Sequence, residues 1–403
     1  MLFSVLLPTR DRLGLLRYAV ESVRRQDDPD WEIVVSDNDS AEDVAGYVAG
    51  LADLRIRYVR TDGFVPVTDN WNNAIAHSSG EYLLMLGDDD ALLPGYLSRM
   101  RALIERFSNP DAIYTGALLY AYPGVLPEVP EGYLQPNLHA PFFVGRDEPF
   151  MLARAEARAL VQGAMDFRVL YDFGMQYVLI SRRTIDWLAG DGEFYRSTYP
   201  DYYGMNLLFA RAERIAVDPT PQVVIGITRS SFGFLHFTGR DADARAFLNS
   251  EQVEPEIQES LAGVVLPGSD LNTRWLYAMQ SLHRHLGSPP DLRPSYARYR
   301  RLQAIHCERA YHLYGTINRD ELRCAQAGLR PPERLAALLL APALARVLGA
   351  LAPGRRRSIG AVFDRVVGQH GRVRHPQREI GRYSDVLAVL DRYEQREGRA
   401  AVG

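Results

Sequence analysis

The chain contains no lysine: every one of its 46 basic residues is arginine. That absence excludes Schiff-base chemistry, a pyridoxal-phosphate lysine and a Walker-type phosphate loop, each of which needs an amine. Any side-chain cation that meets a phosphate in this protein must be Arg. Cysteine is almost absent too. Cys307 and Cys324 alone cannot build a disulfide framework or a four-Cys zinc site, and they fit a reducing, cytoplasmic compartment. No uncharged apolar run reaches the roughly 18 residues a transmembrane helix needs. The apolar start at residues 1–7 is cut short by Pro8, Arg10 and Asp11, so it does not read as a signal peptide.

What is present is an ordinary globular composition over 403 residues, 47 % hydrophobic and 24 % charged, enough for one large domain and a smaller one. The net charge of -4 is unevenly spread. Residues 331–403 hold 13 Arg against 7 Asp and Glu, so the tail is basic and the body acidic. An acidic body excludes a nucleic-acid binder with the usual basic face.

The first 120 residues alternate between short apolar runs and helical spacing. Strands are expected at 3–8, 31–36, 56–60, 82–86 and 111–120. Helices are expected from Leu13, with Asp11 as N-cap, and at 68–79 and 94–107. This alternation predicts a Rossmann-like α/β fold, a mostly parallel sheet with helices on both faces, binding its ligand beyond the carboxyl ends of the strands. Residues 121–148, rich in Pro and Gly, read as a long surface loop. Strands at 178–181 and 223–227 enclose helices at 182–189 and 201–212, and beyond about residue 240 the pattern is mainly helical.

Three polar clusters fall at strand ends. Gly87-Asp88-Asp89-Asp90 follows the fourth strand. Adjacent carboxylates repel, and a divalent cation with oxygen ligands, Mg²⁺ or Mn²⁺, relieves them. A solvated acidic turn is the plainer explanation. Ser36-Asp37-Asn38-Asp39-Ser40 follows the second strand, where Asp and Asn can read a base edge and ribose, or simply make an Asx-turn. Pro8-Thr9-Arg10-Asp11-Arg12 follows the first strand and opens a helix, where backbone N–H groups favour anions and Arg10 or Arg12 can meet a phosphate.

Taken with Asn70-Trp71-Asn72-Asn73 and Gly80–Leu86, these runs resemble the family 2 glycosyltransferases of the GT-A fold, strongly over residues 3–107 and loosely over 175–235. The resemblance implies inverting transfer from a nucleotide-sugar donor to a glycan or lipid-linked acceptor, with a divalent metal on the diphosphate. By the same resemblance Pro8, Thr9, Arg10, Asp11, Asp37, Asn38, Asn70 and Asp88 fall at nucleotide-binding positions. Asp89 is the best match to the metal ligand, with Asp88 and Asp90 beside it. The family's second acidic position after the second strand is Asn38 here, which leaves the choice among UDP, dTDP and GDP open. The base that accepts the acceptor's proton is placed at Asp201, which a helix N-cap also explains, with Asp191 and Glu193 as runners-up. His236 is a further candidate ligand.

These features divide the chain into a GT-A domain at 1–238, nucleotide half 1–120 and acceptor half 121–238, and a helical region at 239–403. An apolar stretch at 335–351 beside Arg355, Arg356 and Arg357 can lie on an anionic membrane surface, form an oligomer contact, or be a core helix with a basic end. A non-catalytic sugar-nucleotide-binding scaffold of the same fold is the competing function. A nucleotidyltransferase is disfavoured because 8–12 has no glycine.

Overall fold

A computed structural model of the chain describes residues 1–126, 129–138, 140–237, 240–249, 253–335 and 379–400. They form two compact units. The first comprises the described residues of Met1–Arg158, Asp172–Glu251 and Val373–Gly403, and the second those of Ala159–Tyr171 and Gln252–Arg372.

The first unit is built on one mixed sheet. β1 (Phe3–Thr9), β2 (Trp31–Asp37), β3 (Ile56–Arg60) and β4 (Tyr82–Met85) are parallel in the order β3-β2-β1-β4. β1, β2 and β4 are buried almost throughout, as continuous apolar strands covered on both faces must be. Helices α1 (Leu13–Arg24), α2 (Val44–Gly50) and α3 (Val67–Ala76) connect them, and α4 (Tyr96–Arg106) follows β4. β5 (Ala91–Leu92) is a two-residue strand before α4.

Beyond β4 the sheet is not the parallel one expected. β6 (Ala112–Ala121) lies antiparallel to β7 (Gly132–Asn137) and to β9 (Val178–Ser181), and β9 runs antiparallel to β4. β8 (Phe150–Met151) and β5 both pair antiparallel with β10 (Ile215–Ile227), which is parallel to β6. The presumed loop at 121–148 therefore contains a strand. Its Gly132 lies against the ring of Tyr120, where a Cβ would come within 1.9 Å of the hydroxyl oxygen. The glycine marks close approach rather than a turn.

Helices α5 (Arg154–Met165), α6 (Arg182–Ala189) and α7 (Pro200–Arg211) follow in chain order, then α8 (Phe232–Phe237) and α9 (Asp241–Leu248). The C-terminal part returns to this unit. β11 (Gly381–Tyr383) pairs with β7, and the helix Val386–Ala400 buries Val386, Val389 and Leu390 with Leu118, Tyr120 and Tyr122. Residues 239–251, read above with the helical region, also fall in the first unit.

The second unit is helical: α10 (Pro255–Ser260), α11 (Asp270–His285), α12 (Tyr296–Arg309) and α13 (Arg319–Ala327). Trp275, Tyr299 and Phe167 pack at its centre. The fully buried Gln303 amide accepts from Ser269 N–H and donates to Ser269 C=O, so a buried polar group is satisfied by the backbone it pins. Cys307 is buried and Cys324 exposed, both free thiols. Among the described residues no helix is long and apolar enough to cross a membrane. The apolar and basic stretch at 335–357 lies, from residue 336 on, outside the described residues.

Candidate functional site

The ends of β1, β4 and β10 meet at one point. β1 and β4 are adjacent and parallel, so the turns after Thr9 and after Met85 leave the sheet side by side. Thr9 Oγ1 donates to Asp88 Oδ2 at 2.8 Å, tying the two exits together. Arg12 turns back across them. Its NH1 meets Asp88 Oδ1 at 2.8 Å and its NH2 meets Asp89 Oδ2 at 2.6 Å. The exit of β10 adds two hydroxyls: Thr228 Oγ1 accepts from Arg12 NH2 at 3.3 Å, and Ser231 Oγ donates to Asp89 Oδ2 at 2.6 Å.

The third carboxylate of the triplet faces elsewhere. Asp90 Oδ1 accepts the Gly226 N–H at 2.8 Å and its Oδ2 accepts the Gly87 N–H at 3.1 Å. Both oxygens accept from backbone donors, so Asp90 stitches the turn to β10. Gly226 allows this closeness: a Cβ there would lie 1.8 Å from the Asp89 carbonyl oxygen.

The electrostatics follow from burial. Desolvation raises the Asp88 carboxyl to about 7, with Arg12 and the Thr9 hydroxyl opposing the rise and the Asp89 charge adding to it. Burial and the Asp89 charge raise Asp90 well above the carboxylate range. Burial alone would lower the Arg12 guanidinium, but Asp88, Asp89 and Asp90 outweigh it and hold it above its ordinary value.

The donor set suits a hard divalent cation. Asp88 Oδ1 and Asp89 Oδ2 converge on a single positive charge, that of Arg12. Mg²⁺ or Mn²⁺ needs only one or two protein carboxylates when phosphate oxygens and water complete its shell. Among the described residues no group of three or more His, Cys, Asp or Glu is arranged as a metal site. His236 lies in the backbone span of α8, and its side chain is outside the described residues.

The nucleotide-binding expectations divide. Arg10 lies with its guanidinium 3.4 Å from the centre of the Phe64 ring and donates to Asn38 C=O. Asp11 is not the N-cap of α1. It adopts φ +49°, its Oδ1 accepts the Ala41 N–H, and the first helical N–H, that of Leu13, is taken by Glu42 instead. Asp37 is fully buried and accepts from the Ser40 N–H, the Tyr58 hydroxyl and Arg60. Asn38 donates to Val65 C=O and accepts from Val65 N–H, both at 2.9 Å, so its amide is held against the 61–65 turn. Asn70 is likewise occupied, exchanging hydrogen bonds with Ser36 beneath β2. Pro8 lies within β1, paired with Ser36 of β2.

Asp201 lies in the first turn of α7 behind Pro200, with Tyr199 at the N-cap. It is not itself the N-cap, and its Oδ1 accepts the Tyr202 N–H at 2.8 Å. Burial raises its carboxyl to about 6. Two sets of contacts carry its segment toward the strand ends. Thr68 and Asn72 of α3 donate to Ser197 C=O and Tyr195 C=O, and Tyr199 packs edge-on to Phe232, which follows Ser231. Asp191 stands exposed in the loop after α6.

Sequence reasoning missed Ser231 and Thr228, and it weighed Arg12 only as a phosphate contact. It also missed the aromatic rim. Phe247 of α9 lies 5.8 Å from the Arg12 guanidinium, and Asn249 Nδ2 donates to Phe64 C=O at 3.0 Å. The usable signal was the absence of lysine, which forces a buried acidic pair to find an Arg.

Residues 4–140 match the model of glycosyl transferase family 2. The chain is similar to a GalNAc(5)-diNAcBac-PP-undecaprenol beta-1,3-glucosyltransferase of Campylobacter jejuni, 40 % identical over 100 residues, covering 24 % of this chain and 32 % of that one. It is also similar to a PGL/p-HBAD biosynthesis glycosyltransferase of Mycobacterium bovis, 29 % identical over 122 residues, covering 29 % and 47 %. The chain thus spans less than half the length of either relative. Among solved structures, S. aureus TarS 1-349 in complex with UDP-GlcNAc superposes with a TM-score of 0.47 at 15 % identity, covering 84 % of this chain and 91 % of that one. The likeness to glycosyl transferase family 2 thus extends over residues 4–140.

Proposed function

We propose that the chain is an inverting glycosyltransferase that moves a sugar from a nucleotide-activated donor to a hydroxyl of a glycan or lipid-linked acceptor in cell-surface polysaccharide synthesis. The carrying observation is the convergence of Asp88 and Asp89 on one cation beside the exits of β1 and β10. UDP-sugar is the favoured donor, with dTDP and GDP as alternatives. The names of the relatives, one acting on an undecaprenol-linked glycan and one in glycolipid biosynthesis, support the acceptor class. The acidic body supports a partner other than nucleic acid. Such acceptors are consistent with work in the cytoplasm at the inner membrane surface.

Asp89, with Asp88, would hold Mn²⁺ or Mg²⁺, and the metal would supply positive charge to the diphosphate as the sugar–phosphate bond breaks. The protein's own part is positioning. Thr9 fixes the rotamer of Asp88, and Ser231 aims Asp89. The Asp90 stitch to Gly226 keeps the turn rigid against β10, so the carboxylates need not reorganise during transfer. Asp201 is our candidate base. As the acceptor oxygen bonds to the anomeric carbon and the nucleoside diphosphate departs, the acceptor proton passes to its carboxylate, which burial tunes close to working pH.

The test is consumption of a panel of UDP-, GDP- and dTDP-sugars in the presence of undecaprenyl-diphosphate-linked glycan acceptors, with Mn²⁺ or with EDTA. Metal-dependent transfer of one sugar with inverted anomeric configuration is expected. Folded protein that consumes no donor under any condition contradicts the reading and favours the scaffold alternative.

A further inference from the structure

Arg12 is the most unusually placed side chain of the first unit. Its side chain is 11 % exposed, and both terminal nitrogens are spent on carboxylates, NH1 on Asp88 and NH2 on Asp89. Its Nε–H is buried without a hydrogen-bond partner among the described residues. The groups facing it are Asp88 and Asp89 from the β4 exit, Thr228 from the β10 exit and the Phe247 ring from α9. The guanidinium thus occupies the charge focus that a divalent cation would need.

We propose that Arg12 is a built-in counter-ion that holds the cation position between Asp88 and Asp89 in the ligand-free protein and makes metal binding depend on arrival of the donor. The inference rests on the transferase reading above. The argument is one of charge balance. Adjacent carboxylates, Asp88 buried and Asp89 largely so, repel each other unless a cation lies between them, and Arg12 supplies it. A metal that took both carboxylates would strand a buried guanidinium, and an uncompensated buried charge is strongly destabilising. A nucleoside diphosphate brings the anion that the released guanidinium needs, in the fork geometry that Arg pairs with best. Metal and donor therefore bind cooperatively, and Arg12 carries the coupling. A lysine could not do the same, since one ammonium does not span two carboxylates with parallel bonds.

The experiment is a Mn²⁺ titration of the full chain followed by electron paramagnetic resonance, with and without UDP, GDP or dTDP, for wild type, Arg12→Gln and Arg12→Lys. Wild type is expected to bind Mn²⁺ weakly alone and much more tightly with its nucleotide. Arg12→Gln is expected to bind Mn²⁺ alone about tenfold more tightly than wild type, and to lose about the same factor of nucleotide dependence. Arg12→Lys keeps the charge and guards against a misfolded Gln variant. It should bind Mn²⁺ alone several-fold more tightly than wild type. If wild type binds Mn²⁺ with a nucleotide but the folded variants bind Mn²⁺ alone no more tightly than wild type, the counter-ion role is wrong and the transferase reading stands. If wild type binds no Mn²⁺ with any nucleotide, the transferase reading fails and the counter-ion role fails with it.

Discussion

Two strand ends of the same sheet carry acidic and amide residues, and they are used in opposite ways. After β2, Asp37, Asn38 and Asp39 are bound into the protein. Asp37 holds the Ser40 N–H and Tyr58, Asn38 closes on the Val65 backbone, and Asp39 pairs with Arg60. After β4, Asp88 and Asp89 are held by side chains: one guanidinium and the hydroxyls of Thr9 and Ser231. At the β2 end the Ser40 N–H and the Val65 backbone cannot leave without unfolding a turn, although Tyr58 and Arg60 are side chains. At the β4 end the partners of Asp88 and Asp89 named here are all side chains, which can rotate away.

The contrast can be broken most severely at Asp89. Asp89→Asn should keep the fold and lower transfer by about 10³-fold or more, the scale of losing electrostatic stabilisation at a leaving group, measured as kcat with saturating Mn²⁺. Asp201→Asn should come next, lowering kcat about 10²- to 10⁴-fold with donor binding retained. The wild-type pH profile checks the same residue. A carboxyl raised to about 6 by burial is protonated below that pH and cannot accept a proton. kcat/KM should therefore rise with pH through about 6 and level above it. Gly226→Ala would force the Asp89 carbonyl away from β10, disturbing the turn from behind. Loss of both activity and melting temperature is expected. At the β2 end, Asn38→Ala should cost stability, about 1–3 kcal/mol from the abandoned Val65 N–H and C=O, measured by urea unfolding, without changing which nucleotide binds. A switch in nucleotide preference at Asn38 would show that the β2 end reads the base after all.

The parallel half of the fold was legible because its strands are continuous apolar runs ending in polar turns, and β1 to β4, α1 and α3 fall within a few residues of expectation, whereas the short α2 was not anticipated. The antiparallel half was not. β7 hides behind Gly132 and Pro136, and β5 and β8 are two residues each. β10 carries Pro219 and Pro221 through register shifts against β6, so only its last residues read as a strand. The return of β11 to β7 is a contact between residues far apart in the chain, which no local pattern announces. At the site, Asp88 and Asp89 stand out in the sequence as adjacent carboxylates at a strand end, while Asp201 enters only through the family resemblance. The sequence could not tell that Asn38, Asn70 and Asp90 were already bound, because hydrogen-bond satisfaction is a property of the folded surroundings.

The most direct test of the contrast is calorimetric titration of the folded chain with UDP, GDP and dTDP, each with and without Mn²⁺, for wild type and Asp89→Ala. The account predicts that one nucleotide binds only with Mn²⁺ and that Asp89→Ala abolishes it. Binding of no nucleotide by folded wild type, or metal-dependent binding that survives Asp89→Ala, would contradict it.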